Sequence, residues 1–217
     1  MAHIKDRWVE STWLKNVDIY NKTKELPFIQ EIISGKLEYN RFIFYIQQDA
    51  LYIHSFTKVL ETIANRIEAD KYKRYFKDFV KENMAQEKEL HSTYLRNSTT
   101  ELILPTPTCK DFILFNNFLQ ENPSIEVACA GILPCFIVYQ QLGIHIYSKH
   151  NRDGNPYIQW IDTYAGVEHA ESVKHLREVC EFYASKATPE ILEQMQRSYR
   201  KGCEWDQKFW SSCYDMK

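Results

Sequence analysis

Residues 122–147, NPSIEVACAGILPCFIVYQQLGIHIY, decide the fold class. Asn122-Pro123-Ser124, with Glu126 close behind, has the make-up of a helix start: short polar side chains that cap free N–H groups, then an acid in the first turn. From Ile125 an apolar stripe continues through Cys129, Ile132, Phe136, Tyr139, Gly143 and Ile146. Steps of three and four residues keep one face of an α-helix together. No other segment is as apolar, so this helix, reaching towards Tyr147, is expected at the heart of a bundle.

The flanking segments supply its neighbours. Ile4 to Lys22 is weakly helical, and Pro27 opens a short helix that Gly35 closes. Asn40 reads as the cap of a long helix to about Ile67. Another runs from about Asp70 to Arg96 and ends at the polar Asn97-Ser98-Thr99-Thr100. Pro105 and Pro107 mark a loop before a helix over 108–120. Beyond the central helix, Asp153-Gly154-Asn155-Pro156 is a turn. Two more helices follow, from about Pro156 to Tyr183 and from Thr188-Pro189-Glu190 to the end. The expected architecture is all-α, a bundle of seven or eight helices in a single domain spanning 1–217. Six glycines and seven prolines are too few for an all-β chain that turns every 8–12 residues or so.

Composition narrows function by exclusion. A net charge of −2 with interspersed signs carries no clustered basic stripe, so no nucleic-acid partner is expected. No unbroken apolar run approaches the roughly 20 residues of a membrane span. Met1 to Lys15 lacks the apolar core of a signal peptide, which gives a cytoplasmic expectation. The six cysteines form no C-x-x-C pair and read mainly as small core hydrophobes. The 14 tyrosines, 12 phenylalanines and 5 tryptophans either fill a core or wall a pocket for a flat heteroaromatic ligand.

Three helices carry a reactive group on their apolar face. Asp49 interrupts the stripe of Phe42, Tyr45, Ile46, Tyr52, Ile53 and Phe56, where an unpaired carboxylate costs several kcal/mol. It either ties helices together or faces a ligand beside Tyr52. Cys135 and Tyr139, four apart, share a face of the central helix, and Pro134 is placed to loosen that helix and open a pocket. Taken alone, Cys135 is a buried, inert thiol. In the last helix Asp206 falls on the inward stripe of Leu192, Met195, Tyr199, Gly202, Phe209 and Cys213, while Glu204 lies with Arg200, Lys201 and Lys208 on the polar side. A thiol and two aspartates can therefore converge.

At these residues the chain resembles the TenA/thiaminase II family. FIFYIQQDALY (42–52) is similar to the family's Q-D-x-x-Y helix, and LPCFIVY (133–139) to its L-P-C-x-x-x-Y nucleophile helix. WIDTY (160–164) resembles W-I-x-T-Y, and Phe209-Trp210 the closing F-W pair, with an acid three residues earlier. The resemblance implies a heme-oxygenase-like fold, a homotetramer, and no metal or organic cofactor. It also implies hydrolysis of thiamin, or of 4-amino-5-aminomethyl-2-methylpyrimidine, to the hydroxymethylpyrimidine. Carried over, Cys135 is the nucleophile, Asp49 holds the amidine-like edge, and Asp206 shuttles protons. Tyr52, Phe112, Tyr139, Tyr164 and Phe209 contact the substrate. Two positions depart from the pattern: Asp206 stands where the family has Glu, and Phe112 where bacterial members have Tyr. Both point to reduced turnover or a shifted substrate.

Two rivals stay open. Glu87/His91 and Glu171/His175, with Glu168-His169 nearby, have the spacing of a di-metal oxygenase on the same fold. The two departures would equally suit a homologue that binds a pyrimidine without turnover. No Gly- or Arg-rich phosphate cradle is visible, which favours unphosphorylated substrates.

Overall fold

A computed structural model describes residues 7–95 and 104–217, the side chain of His91 excepted. Among the described residues nine helices follow one another: α1 (Trp8–Lys24), α2 (Pro27–Ser34), α3 (Tyr39–Arg66), α4 (Asp70–Tyr94), α5 (Pro107–Glu121), α6 (Ile125–Lys149), α7 (Ile158–Ala165), α8 (Val167–Ala184) and α9 (Pro189–Asp215). No strand occurs among the described residues. These are the eight helices expected, with the seventh divided. The division falls at Gly166, whose extended backbone (ψ 162°) ends α7 and precedes α8. Asn40 lies inside α3 rather than capping it, since Glu38 holds the N-cap position. The expected stop at Asn97–Thr100 lies outside the described residues.

Caps sit where short polar side chains precede a helical stripe. Thr106 Oγ1 accepts from Cys109 N, Ser124 Oγ from Val127 N and Thr188 Oγ1 from Ile191 N. Gly35 closes α2 at φ +68°, a left-handed conformation that costs glycine nothing.

Helix α6 is the axis of the bundle and packs most extensively on α9 and α8. It is long and apolar enough to cross a membrane, but its apolar window is 78% buried within the bundle. It runs unbroken through Pro134, which packs against Gly202 of α9 rather than opening the helix. A Cβ at Gly202 would sit 2.7 Å from Gly131 O and 2.8 Å from Pro134 Cγ. Only glycine lets α9 come this near, and that approach carries Asp206 to the central helix. Gly143 does the same for α7, since a Cβ there would lie 2.6 Å from the Tyr164 carbonyl carbon. Gly202→Ala is therefore an overpacking change against backbone, costing about 1–3 kcal/mol. Thermal unfolding of the variant is expected to occur roughly 4–8 °C lower; an unchanged midpoint would mean the α6–α9 approach is slack.

Candidate active site

Helices α3, α4, α6, α7 and α8 enclose a cavity of about 480 Å³. Asp49 and Tyr52 of α3, Cys135 and Tyr139 of α6, and Tyr164 of α7 all line it. Apolar walls come from Ile53, Phe56, Phe79 and Phe136. The arrangement suits a flat ring with a few oriented polar contacts.

Asp49 is 4% exposed. Burial, with the Glu87 carboxylate adding to it, pushes its carboxyl up to about 8. At neutral pH it is a protonated acid, with one O–H to donate and one oxygen to accept. Around it the Tyr139 and Tyr164 rings lie 5.0 Å apart. Burial raises both, helped at Tyr139 by the Tyr45 phenol and Asp49 and at Tyr164 by Asp49, so they stay neutral phenols. The ring of Tyr164 is held by Trp160 at 4.8 Å, and the Trp160 indole N–H donates to the Tyr45 hydroxyl at 3.4 Å. Tyr45 in turn stacks on Trp210 at 4.7 Å.

Cys135 Sγ lies 2.8 Å from the Tyr52 hydroxyl and 3.8 Å from Asp206 Oδ1. Burial, reinforced by Asp206, raises the thiol well above its ordinary range. Burial also raises the Asp206 carboxyl. A resting thiolate is disfavoured, so attack has to be coupled to loss of the thiol proton. Asp206 is 1% exposed and lies behind Cys135 rather than on the cavity wall; its Oδ2 has no hydrogen-bond partner among the described residues. Glu204, as its neighbours indicated, points away and pairs with Arg200 at 3.2 Å.

Two residues expected to contact substrate stand one layer back. Phe112, 1% exposed, stacks on Tyr52 with centroids 4.2 Å apart, and Phe209 packs on the same ring at 6.0 Å. Neither lines the cavity, because the Tyr52 ring lies between them and it. They fix the ring that meets the thiol. On the opposite wall the structure adds Glu82 and Asn83 of α4 and His169 and Ser172 of α8, none of which the sequence reading placed in the pocket. The paired Gly166 break and His169 five residues after Tyr164 were the available signals.

The metal-type spacing on α8 builds no centre among the described residues. Glu171 pairs with Lys174 at 3.0 Å, and His175 stacks on Tyr75 at 3.9 Å. His169 Nε2 bonds to the Phe136 carbonyl. Of the Glu87/His91 pair, the histidine side chain lies outside the described residues. Among the described residues no three His, Cys, Asp or Glu side chains converge.

The fold and site define a helical-bundle protein with a small-molecule cavity walled by a half-buried thiol and one buried carboxyl, with a second carboxyl behind the thiol. The sequence profile of the TENA/THI-4/PQQC family matches residues 15–216, and the chain belongs to that family. It is 27% identical over 205 residues to the "Thiamine biosynthesis multifunctional protein ThiED" of Corynebacterium efficiens, covering 93% of this chain and 28% of that one. The chain thus spans about a quarter of that relative's length. It is 24% identical over 197 residues to the "Aminopyrimidine aminohydrolase" of Bacillus subtilis, covering 87% and 81% respectively. The solved TenA homologue of P. horikoshii superposes with a TM-score of 0.85 at 20% identity, over 97% of this chain and all of that one. The architecture is the heme-oxygenase-like bundle expected.

Proposed function

We propose that this protein is an aminopyrimidine aminohydrolase of the thiaminase II type. It would release the hydroxymethylpyrimidine from thiamin or from 4-amino-5-aminomethyl-2-methylpyrimidine, with Cys135 as nucleophile. The observation that carries the reading is the Cys135 thiol on the cavity wall, bonded to Tyr52 and backed by Asp206, in the same cavity as a protonated Asp49. Aminohydrolase names among the relatives support the hydrolase class.

The steps follow from charge. A protonated Asp49 donates to a ring nitrogen of the pyrimidine and accepts from its exocyclic amine, which draws electrons from the ring. As the Cys135 proton leaves towards Asp206, sulfur bonds to the electron-poor ring, and the displaced ring electrons settle on the nitrogen that Asp49 protonates. Those electrons then return to break the bond between the 5-methylene carbon and its nitrogen, and the amine, protonated beforehand as an ammonium, or the thiazole departs neutral with the bonding pair. Water adds to the methylene, and loss of the thiol restores the aromatic ring. The described cavity lining includes Asp49, Glu82, Glu89, Asp162 and Glu168 but no Lys or Arg. A phosphate ester would meet no counter-charge there, so unphosphorylated substrates fit. The reading carries with it a cytoplasmic homotetramer, for which light scattering should give the mass of four chains.

A second reading, pyrimidine binding without turnover, is favoured by one observation: the Cys135 thiol donates to Asp206 Oδ1 across 3.8 Å, a long hydrogen bond even for sulfur. One more methylene would close that gap. Asp206→Glu is expected to raise turnover about tenfold, a part of the roughly 10²–10⁴-fold that one fully positioned acid or base contributes. Unchanged turnover of every aminopyrimidine tried would remove Asp206 from the proton path. The proposed ligand class is tested by calorimetry with the hydroxymethylpyrimidine. Binding that Cys135→Ser preserves and Asp49→Ala abolishes is expected; no binding by the wild type would sink the reading.

A further inference from the structure

The wall of the cavity formed by α4 and α8 differs in chemistry from its thiol-bearing side, and the steps above leave it without a task. His169 lines the cavity with its ring parallel to Phe136 (centroids 6.3 Å, 11°) and edge-on to Tyr164 at 5.5 Å. Its Nε2 lies 3.2 Å from the Phe136 carbonyl oxygen. A carbonyl can only accept, so Nε2 carries the proton and Nδ1 keeps its lone pair. The hydrogen bond that His169 makes among the described residues is the one at Nε2, which leaves Nδ1 for a ligand. Burial holds the imidazole down at about 4, so this lone pair is present at every physiological pH. Ser172, three residues on and so on the same face of α8, donates to the Glu82 carboxylate of α4. Glu82 and Glu168 both border the cavity beside His169.

A neutral acceptor flanked by two carboxylates suits a cation that still has N–H to give. We propose that this wall is the leaving-group subsite, in which His169 Nδ1 accepts a hydrogen bond from a substrate ammonium and Glu82 balances its charge. The inference rests on the pyrimidine reading above and deepens it. A primary aminomethyl group, protonated at neutral pH, offers that N–H. The quaternary thiazolium nitrogen of thiamin has none, so the subsite selects the amine.

The test compares two ligands that differ only at the proposed contact, the aminomethylpyrimidine and its 5-methyl analogue, whose affinities are measured by calorimetry at pH 7 with Cys135→Ser present throughout so that the amine is not consumed. His169→Phe keeps the stacking on Phe136 and removes the acceptor. It is expected to weaken the amine about tenfold, as loss of a hydrogen bond to a charged group does, and the methyl analogue less than twofold. Glu82→Gln should act in the same direction, about threefold. His169→Gln, which restores an acceptor, should recover part of the loss. If His169→Phe weakens both ligands equally, the histidine only shapes the wall and the subsite is refuted; unchanged affinity for both refutes it as well. Failure of the pyrimidine reading looks different, because the protein with His169 intact would then bind neither compound, and the subsite would fall with it.

Discussion

Asp49→Asn should make the protein more resistant to heat at pH 8 while lowering turnover at least about 100-fold. The first half follows from linkage. The carboxyl sits at about 8 in the folded protein, against about 4 in an unfolded chain. Below pH 4 both states hold the proton, and the residue adds no difference to stability. Between pH 4 and 8 the unfolded chain has ionised and the folded one has not, so stability falls as pH rises. Above 8 the charge is buried and its full cost is present. Asparagine keeps the shape and removes the charge. The gain in unfolding temperature should be near zero at pH 4 and at least about 4 °C at pH 8. The second half follows because the amide cannot protonate the ring, although it can still offer a donor and an acceptor. An increase in stability that is the same at both pH values would contradict the buried acid; full turnover would contradict its role.

Cys135→Ser is expected to have the largest effect on rate. The oxygen fits where the sulfur was and keeps Tyr52 and Asp206 as neighbours. A serine hydroxyl is far less acidic than a thiol already raised by burial. Without a strong base beside it, it will not add to a pyrimidine ring. Turnover should fall roughly 10³-fold or more, while pyrimidine affinity stays within about threefold. If affinity collapses along with rate, the thiol holds the ligand rather than attacks it.

Much of this site is legible along single helices. The three–four stripe from Ile125 to Ile146 is enough to predict the buried axis, and Asp49 and Asp206 are visible as carboxyls on apolar faces. The outward Glu204 is equally visible from its Arg and Lys neighbours. What the chain does not display is anything created by two helices crossing. Phe112 and Phe209 fall on inward faces, yet whether an inward ring meets the ligand or the ring in front of it depends on how α5 and α9 lie against Tyr52. Glu82 and Ser172 carry no signal along their own helices, His169 stands out only beside a metal-type spacing, and the crossing of α4 and α8 is what closes them around a cavity. The division at Gly166 belongs to the same class. A glycine within a helical pattern is tolerated at modest cost, and the break becomes definite through the approach of Tyr164 to Gly143.

The most direct test is the release of hydroxymethylpyrimidine by the wild-type protein, followed by chromatography with thiamin and with the aminomethylpyrimidine supplied separately. Product is expected from at least one of them, faster from the amine, and none above background from Cys135→Ser under either condition. Equal product from wild type and Cys135→Ser would contradict the nucleophile. Absence of product from both compounds, with the pyrimidine bound, would contradict the hydrolase itself and leave a binding protein.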